Sequence, residues 1–319
     1  MAQRVGAGDD RAVARALRWI DDGHPEAPQL LKRIWRKSWD CWIIGVTGSP
    51  GVGKSSLTDR LISHYRNRGE PVGVLAVDPS SPFTGGAILG DRVRMMRHSG
   101  DSGVFIRSLA TRGVLGGLSR STADSLLVLA ASGKRILLVE TVGVGQDEVD
   151  VARLADTTLL ILSPGAGDDV QAMKAGIFEI GDLYVINKAD REGADQAAAD
   201  IEQVLSLSNG ETGGSQEAAG ARWRPPVVKV SALNDTGVGE LVTAVEAHCL
   251  WKSAPHRLVA GRRKKIESQL ISLLERGLAE RGVQDLRRDG KIEQALRDMD
   301  GGHSDPYTEA ERLVGERMA

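Results

Sequence analysis

At 319 residues the chain can bury a full core, as one large domain with additions or as two smaller ones. A formal charge of −2 provides no global attraction to nucleic acid or to an anionic membrane. Cys41 and Cys249 form no spaced ligand motif, the six histidines are scattered, and no signal peptide or long apolar run is present, so a reduced, cytoplasmic setting is expected.

Residues 1–40 are expected to form an N-terminal helical extension. Val13, Leu17, Ile20, Leu30, Leu31 and Ile34 are spaced as apolar stripes, interrupted around Gly23-His24-Pro25. From 41 to 255 the pattern changes to short apolar runs, at 41–46, 72–77, 135–139, 158–162, 183–186 and 226–230, with a weaker one at 103–107. Their density suits strands buried on both faces, and helical patterns alternate with most of them. This predicts an α/β fold, a mostly parallel sheet wrapped by helices. Residues 208–224, rich in Gly, Ala, Ser and Glu, read as a mobile surface insertion. After Trp251 the strand signal stops, and 256–319 read as a helical arm. Within it 258–283 form one amphipathic helix carrying Leu258, Ile266, Leu270, Leu273, Leu274 and Leu278. Such a face needs a partner surface, either its own domain or a second subunit. Arg262-Arg263-Lys264-Lys265 reads as a solvated helix face, because no aromatics are interleaved as nucleic-acid binding requires.

The first chemical motif lies between the strand at 41–46 and a helical pattern through Leu57, Leu61 and Ile62. Gly48-Ser49-Pro50-Gly51-Val52-Gly53-Lys54-Ser55 fits G-x-x-x-x-G-K-[ST], the P-loop, in the strand–loop–helix context that it needs. Backbone N–H groups of such a loop cradle phosphate oxygens, and the helix dipole adds to them. Lys54 would reach the β- and γ-phosphates, the Ser55 hydroxyl would ligate Mg²⁺, and Ser56 completes the cradle. The bland alternative is an accidental glycine-rich turn, which the correct flanks disfavour.

A P-loop does not choose the base. Asn187-Lys188-Ala189-Asp190 does, at the end of the strand Leu183-Tyr184-Val185-Ile186. The Asp190 carboxylate would accept hydrogen bonds from guanine N1–H and N2–H₂, and the Lys188 stem would cover the ring. Adenine offers neither donor, so such a site can reject it by roughly 10⁴ or more. Ser231-Ala232-Leu233, after the strand Val227-Val228-Lys229-Val230, fits a second guanine loop whose backbone N–H meets the base carbonyl. GTP and GDP are the expected ligands.

On the γ-phosphate side, Arg135-Ile136-Leu137-Leu138-Val139 runs into Glu140-Thr141-Val142-Gly143. Common GTPases carry Asp-x-x-Gly here, so a leading Glu is a departure. The Glu140 carboxylate would hold Mg²⁺ or one of its waters, and the Gly143 N–H would sense the γ-phosphate. Asp78 ends the strand at 72–77, and Asp91 lies in Gly90-Asp91-Arg92. Both could approach the metal. Asp91 fits a helix N-cap equally well.

Val77-Asp78-Pro79-Ser80-Ser81-Pro82-Phe83-Thr84-Gly85-Gly86, Gly90-Asp91-Arg92-Val93-Arg94-Met95 and Glu140-Thr141-Val142-Gly143-Val144-Gly145-Gln146 together resemble the MeaB/ArgK family of P-loop GTPases. The resemblance covers nearly the whole chain. Its central motifs are long and specific, while the helical N-terminus and the end at Asp305-Pro306-Tyr307-Thr308-Glu309-Ala310-Glu311-Arg312-Leu313 match by composition.

The resemblance implies a GTPase chaperone for an adenosylcobalamin-dependent acyl-CoA mutase. Such a protein gates cofactor loading, protects the mutase and helps remove damaged cofactor. By position Asp78, Asp91 and Glu140 match the family's acidic magnesium and switch residues. Ser163-Pro164-Gly165-Ala166-Gly167-Asp168-Asp169-Val170-Gln171 through Lys174 matches a further switch loop, whose Lys serves GTP hydrolysis. The resemblance also implies a homodimer through the C-terminal helices. The insertion at 208–224 departs from the family. Two other functions compete. A nickel or zinc metallochaperone would share the P-loop class and the Glu, but usually carries clustered Cys or His. A kinase acting on a transport-associated binding protein is disfavoured by the guanine motif.

Overall fold

The computed structural model describes residues 1–37, 40–78, 96–98, 100–110, 117–141, 147–165, 178–210 and 222–318. It divides into two units, Met1–Ala254 and Pro255–Ala319.

The first unit opens with α1 (Ala2–Gly6), α2 (Asp10–Asp21) and α3 (Ala27–Ile34). Helix α2 is capped by Asp9, whose carboxylate accepts the Ala12 N–H at 3.0 Å, which satisfies one of the donors orphaned at a helix start. Then follow β1 (Trp42–Thr47), α4 (Lys54–Asn67), β2 (Val72–Asp78), β3 (Val104–Ala110), α5 (Gly117–Ala131) and β4 (Ile136–Glu140). After these come α6 (Asp147–Leu154), β5 (Thr157–Leu162), β6 (Leu183–Ile186), α7 (Ala194–Gly210), β7 (Val227–Lys229) and α8 (Val238–Lys252).

The described strands form one parallel sheet in the order β3-β2-β4-β1-β5-β6-β7. Central strands are buried on both faces: β5 is buried at every position from Thr157 to Leu162, and its apolar residues run without alternation from Leu159 to Leu162. The chain moves to one side of β1 for β2 and β3, returns at β4, then crosses to β5. The loop after β1 therefore stands at the switch point, where α/β sheets bind ligands at the carboxyl ends of their strands.

Both sheet faces are covered. On one, Leu57, Leu61 and Ile62 of α4 and Leu241, Val242 and Val245 of α8 pack on Ile44, Val46, Leu138 and Leu159. On the other, Val13, Leu17 and Ile20 of α2 with Leu30 and Ile34 of α3 join Leu129 of α5 against Leu75, Leu137 and Val139. Each fully buried Leu or Ile contributes about 1.5–3 kcal/mol relative to exposure, so the N-terminal helices form part of this layer. A third cluster packs Ala194 and Ile201 of α7 on Leu160, Leu162, Tyr184 and Ile186.

Sequence boundaries shift in places. The weak run at 103–107 is the full strand β3, and the expected run at 226–230 is ladder-paired only over Val227–Lys229. In the segment expected to be a mobile insertion, α7 continues to Gly210. At its other end Trp223 is fixed, donating its indole N–H to the Asp182 carbonyl at 2.8 Å and packing 4.7 Å from the His248 ring. Residues 211–221 lie outside the described residues.

The second unit consists of α9 (Pro255–Arg288), α10 (Lys291–Asp300) and α11 (Pro306–Met318). Ala295 of α10 and Leu313 of α11 are buried, and Lys291 donates to Glu316 at 2.6 Å. Helix α9 buries none of its residues, and its Leu258, Leu270, Leu273, Leu274 and Leu278 are all exposed. Among the described residues, no helix is long and apolar enough to cross a membrane.

Candidate active site

The described strands run in parallel, so the loops after Thr47, Glu140, Ile186 and Lys229 open on one edge of the sheet. The loop after β1 is shaped by glycine at two positions. Gly48 has φ +140°, and a Cβ there would stand 2.2 Å from the Ile161 carbonyl oxygen. Gly53 has φ +94°, and its Cβ would stand 2.4 Å from Asn187 Nδ2. No side chain fits either place. Between them Val52 anchors the loop in the core, while Pro50 and Gly51 are exposed.

Lys54 and Ser55 begin α4 and are both buried. Lys54 donates to the carbonyl oxygens of Gly48 at 2.6 Å and Ser49 at 3.0 Å, so its ammonium is held over the loop. Ser55 donates to Glu140 Oε1 at 2.5 Å. Glu140 is buried at the end of β4, opposite Val46 of β1 and Ala76 of β2. Ser56 follows, half-buried, on the first turn of α4. The backbone of Asp78 ends β2 two positions beyond the Ala76–Glu140 pair, on the same edge; its side chain lies outside the described residues. So do Asp91, Gly143 and Lys174.

Asn187 has a role beyond the one its motif suggests. Its amide Nδ2 donates to the Val52 carbonyl at 2.8 Å, and its Oδ1 accepts the Ala232 N–H at 3.1 Å. One buried side chain thus ties the P-loop to the Ser231–Leu233 loop. Lys188, in the left-handed region at φ 60°, donates from Nζ to the Gly51 carbonyl at 2.6 Å. Its stem lies toward the P-loop. Asp190 is exposed and accepts a short hydrogen bond from the Ser231 hydroxyl, which holds its carboxyl below the ordinary range.

The loop at 231–236 is closed on itself. Ser231 N–H donates to the Thr236 carbonyl at 2.9 Å, Thr236 N–H returns the bond at 3.2 Å, and Asn234 N–H donates to Ser231 Oγ at 3.3 Å. The Leu233 side chain is exposed. Sequence reasoning missed Arg60, which reaches from α4 to the carbonyl oxygens of Ala232 at 2.8 Å and Leu233 at 3.1 Å. No spacing rule joins it to residues more than a hundred positions away. Asp59, its neighbour, accepts Arg97 Nε–H at 2.6 Å and lies 2.9 Å from His98 Nε2, pinning the short helical turn Met96–His98 to α4.

The site therefore brings together Gly48–Ser55, Glu140, Asn187–Asp190 and Ser231–Leu233. Its donor set fits a nucleoside phosphate: a glycine-shaped loop at a helix N-terminus with a buried lysine over it. The paired oxygens of Ser55 and Glu140 are hard ligands of the kind Mg²⁺ takes.

The chain is similar to known proteins along most of its length. The family described as Methylmalonyl Co-A mutase-associated GTPase MeaB matches residues 13–286. A protein of Pyrococcus abyssi named as a GTPase is 43% identical over 316 residues, 99% of this chain and 95% of that one. The GTPase ArgK of Escherichia coli is 36% identical over 250 residues, 76% of this chain and 73% of its own. The mitochondrial methylmalonic aciduria type A homolog of Caenorhabditis elegans is 33% identical over 258 residues, 75% of this chain and 62% of its own. A crystal structure of a LAO/AO transport system kinase superposes with a TM-score of 0.71 at 26% identity, covering 100% of this chain and 96% of that one. With the P-loop, the Glu140 strand end and the Asn187–Asp190 motif on one sheet edge, the chain belongs to the MeaB family of methylmalonyl-CoA mutase-associated GTPases.

Proposed function

We propose that this protein hydrolyses GTP with Mg²⁺ and uses that cycle to gate cofactor loading, and to protect or reactivate, an adenosylcobalamin-dependent acyl-CoA mutase such as methylmalonyl-CoA mutase. The observation that carries the nucleotide part is the Asn187 bridge, which joins the P-loop and the Ser231–Leu233 loop into one site beside Lys188 and Asp190. The family's description and the C. elegans relative support the mutase part.

In this reading Lys54 exchanges the Gly48 and Ser49 carbonyls for phosphate oxygens, and Asp190 accepts the guanine N–H groups. Ser55 and Glu140 would hold Mg²⁺, with Asp78 and Asp91 near it, and the metal would neutralise charge on the phosphates. Gly143 would sense the γ-phosphate, and Lys174 would act in turnover. The functional divisions are a helical extension at 1–40, a GTPase domain at 41–255 and an arm at 256–319. The exposed leucines of α9 support a homodimer through that arm. Two cysteines outside any spaced motif support a reduced, cytoplasmic setting.

The test is phosphate release with and without the mutase, beside cobalamin transfer into the apo-mutase under GTP, GDP and a non-hydrolysable analogue. The mutase should raise the rate, and Lys174→Ala should lower turnover while leaving GDP affinity nearly intact. Loading indifferent to all three nucleotides, with no change in GTPase rate, refutes the mutase reading.

A further inference from the structure

We infer that Arg60 is a positioning residue for guanine recognition, acting on Asp190 through a relay of hydrogen bonds across the 231–236 loop. The inference rests on the guanine-nucleotide reading above and extends it to a residue outside the recognised motifs.

Arg60 lies six residues beyond Lys54, about 9 Å along the helix at 1.5 Å per residue. From there its planar guanidinium grips two successive carbonyls, with Nε donating to Ala232 and Nη2 to Leu233. Asp235 Oδ2 stands 3.7 Å from Nη1 and balances the charge. The fork matches two adjacent acceptors as a single ammonium cannot.

Peptide planarity carries the effect across the loop. In a trans peptide unit the C=O and N–H point in opposite directions. When Arg60 holds the Leu233 carbonyl outward, the N–H of Asn234 in the same unit faces inward, where it donates to Ser231 Oγ. That oxygen in turn donates its proton to Asp190 Oδ1. The order is thus Arg60, the Leu233–Asn234 peptide, Ser231 Oγ and the Asp190 carboxylate. Each bond polarises the next, so a cation at one end reinforces the hydrogen bond that aims the base-reading carboxylate at the other. The Ala232 carbonyl, gripped by the same fork, likewise turns the Leu233 N–H away from Arg60. Because Arg60 stands on the helix that begins with Lys54 and Ser55, the base-reading loop is referenced to the phosphate-binding groups themselves.

The experiment measures GDP and IDP affinity by calorimetry, and the KM and kcat of GTP and ITP hydrolysis, for the full chain and for Arg60→Ala and Arg60→Lys. Inosine lacks the 2-amino group that Asp190 would read. Losing an aimed charge-assisted bond predicts about tenfold weaker GDP binding in Arg60→Ala, a smaller loss for IDP, and hence a reduced GDP-to-IDP preference. The loss falls on KM rather than kcat, and Arg60→Lys is intermediate. Since Ser231 belongs to the same relay, Arg60→Ala combined with Ser231→Ala should lose less than the product of the two separate fold-changes. Equal losses for GDP and IDP, or fully multiplicative effects, mean that Arg60 merely supports the fold and overturn the proposal. A parent protein without any preference for GDP over IDP and ADP overturns the guanine reading as well, which separates the two failures.

Discussion

His248 of α8 should make the stability of this protein pH-dependent in a window that can be worked out from its surroundings. The ring is 1% exposed. Its Nδ1 is 2.8 Å from Thr157 Oγ1, which also accepts the Trp42 indole N–H at 2.9 Å. Trp223 and Trp251 flank it, with centroids 4.7 and 5.8 Å away. Asp182 Oδ1 stands 3.5 Å from Nε2, beyond the range of a strong hydrogen bond. Burial, reinforced by the Lys252 charge and opposed by Asp156, pushes the imidazolium pKa down to about 4 from 6.5. Between those values the unfolded chain binds a proton that the folded chain refuses. The contribution of His248 is therefore fully present above pH 6.5 and is lost as pH falls toward 4. At ~1.4 kcal/mol per pH unit the loss amounts to about 3 kcal/mol. Urea unfolding of the parent and His248→Gln, followed by tryptophan fluorescence at pH 7, 6, 5 and 4.5, isolates the term as the difference between their slopes. Parallel loss of stability in the two proteins through that window would falsify the assignment of a buried neutral imidazole.

Asp124 of α5 works in the opposite sense, because burial raises its carboxyl to about 6 from 3.8. Its contribution is present at low pH and lost as pH rises through 6, so Asp124→Asn should gain stability at pH 8 relative to pH 5, read from the same unfolding curves. Asp190→Asn should weaken GTP binding and favour xanthosine triphosphate, whose C2 carbonyl suits an amide donor; calorimetric titration of both nucleotides checks this, and unchanged GTP affinity refutes it. Gly53→Ala should weaken nucleotide binding by more than tenfold and cost about 1–3 kcal/mol of stability, since both its positive φ and Asn187 Nδ2 oppose a Cβ. Thermal unfolding and GDP titration test the two halves of that prediction.

The chemistry that the sequence displayed is the chemistry held by local backbone. Gly48–Ser55 and Asn187–Asp190 are contiguous, each sits at a strand end, and each could be read with its neighbours alone. Strands were legible because β5 and β6 are buried on both faces, which leaves Leu159–Leu162 and Leu183–Ile186 as almost wholly apolar runs. What escaped notice depends on contacts between distant positions. Arg60 appears in sequence as an ordinary helix charge until the fold brings Ala232 to it. Asn187 was assigned to the base, yet its hydrogen bonds join two loops. Trp223 was submerged in a polar, glycine-rich stretch whose composition hid an anchoring indole. The helices α2 and α3 read as an extension because periodicity shows an apolar face without showing what it meets, and the sheet face is what they meet.

The two edges of the sheet carry separate duties. Trp42 and Thr157 are the first residues of β1 and β5, and Asp182 immediately precedes β6. The aromatic and histidine cluster they form with Trp223, His248 and Trp251 therefore occupies the edge where strands begin, while the phosphate loop and Glu140 occupy the edge where they end. Strands of this length separate the edges by roughly 15–20 Å. Substitutions in the lower cluster can thus retune acid tolerance, or loosen the Trp223 anchor, at a distance from the nucleotide cradle. Acid tolerance and phosphate binding thus draw on opposite ends of the same strands.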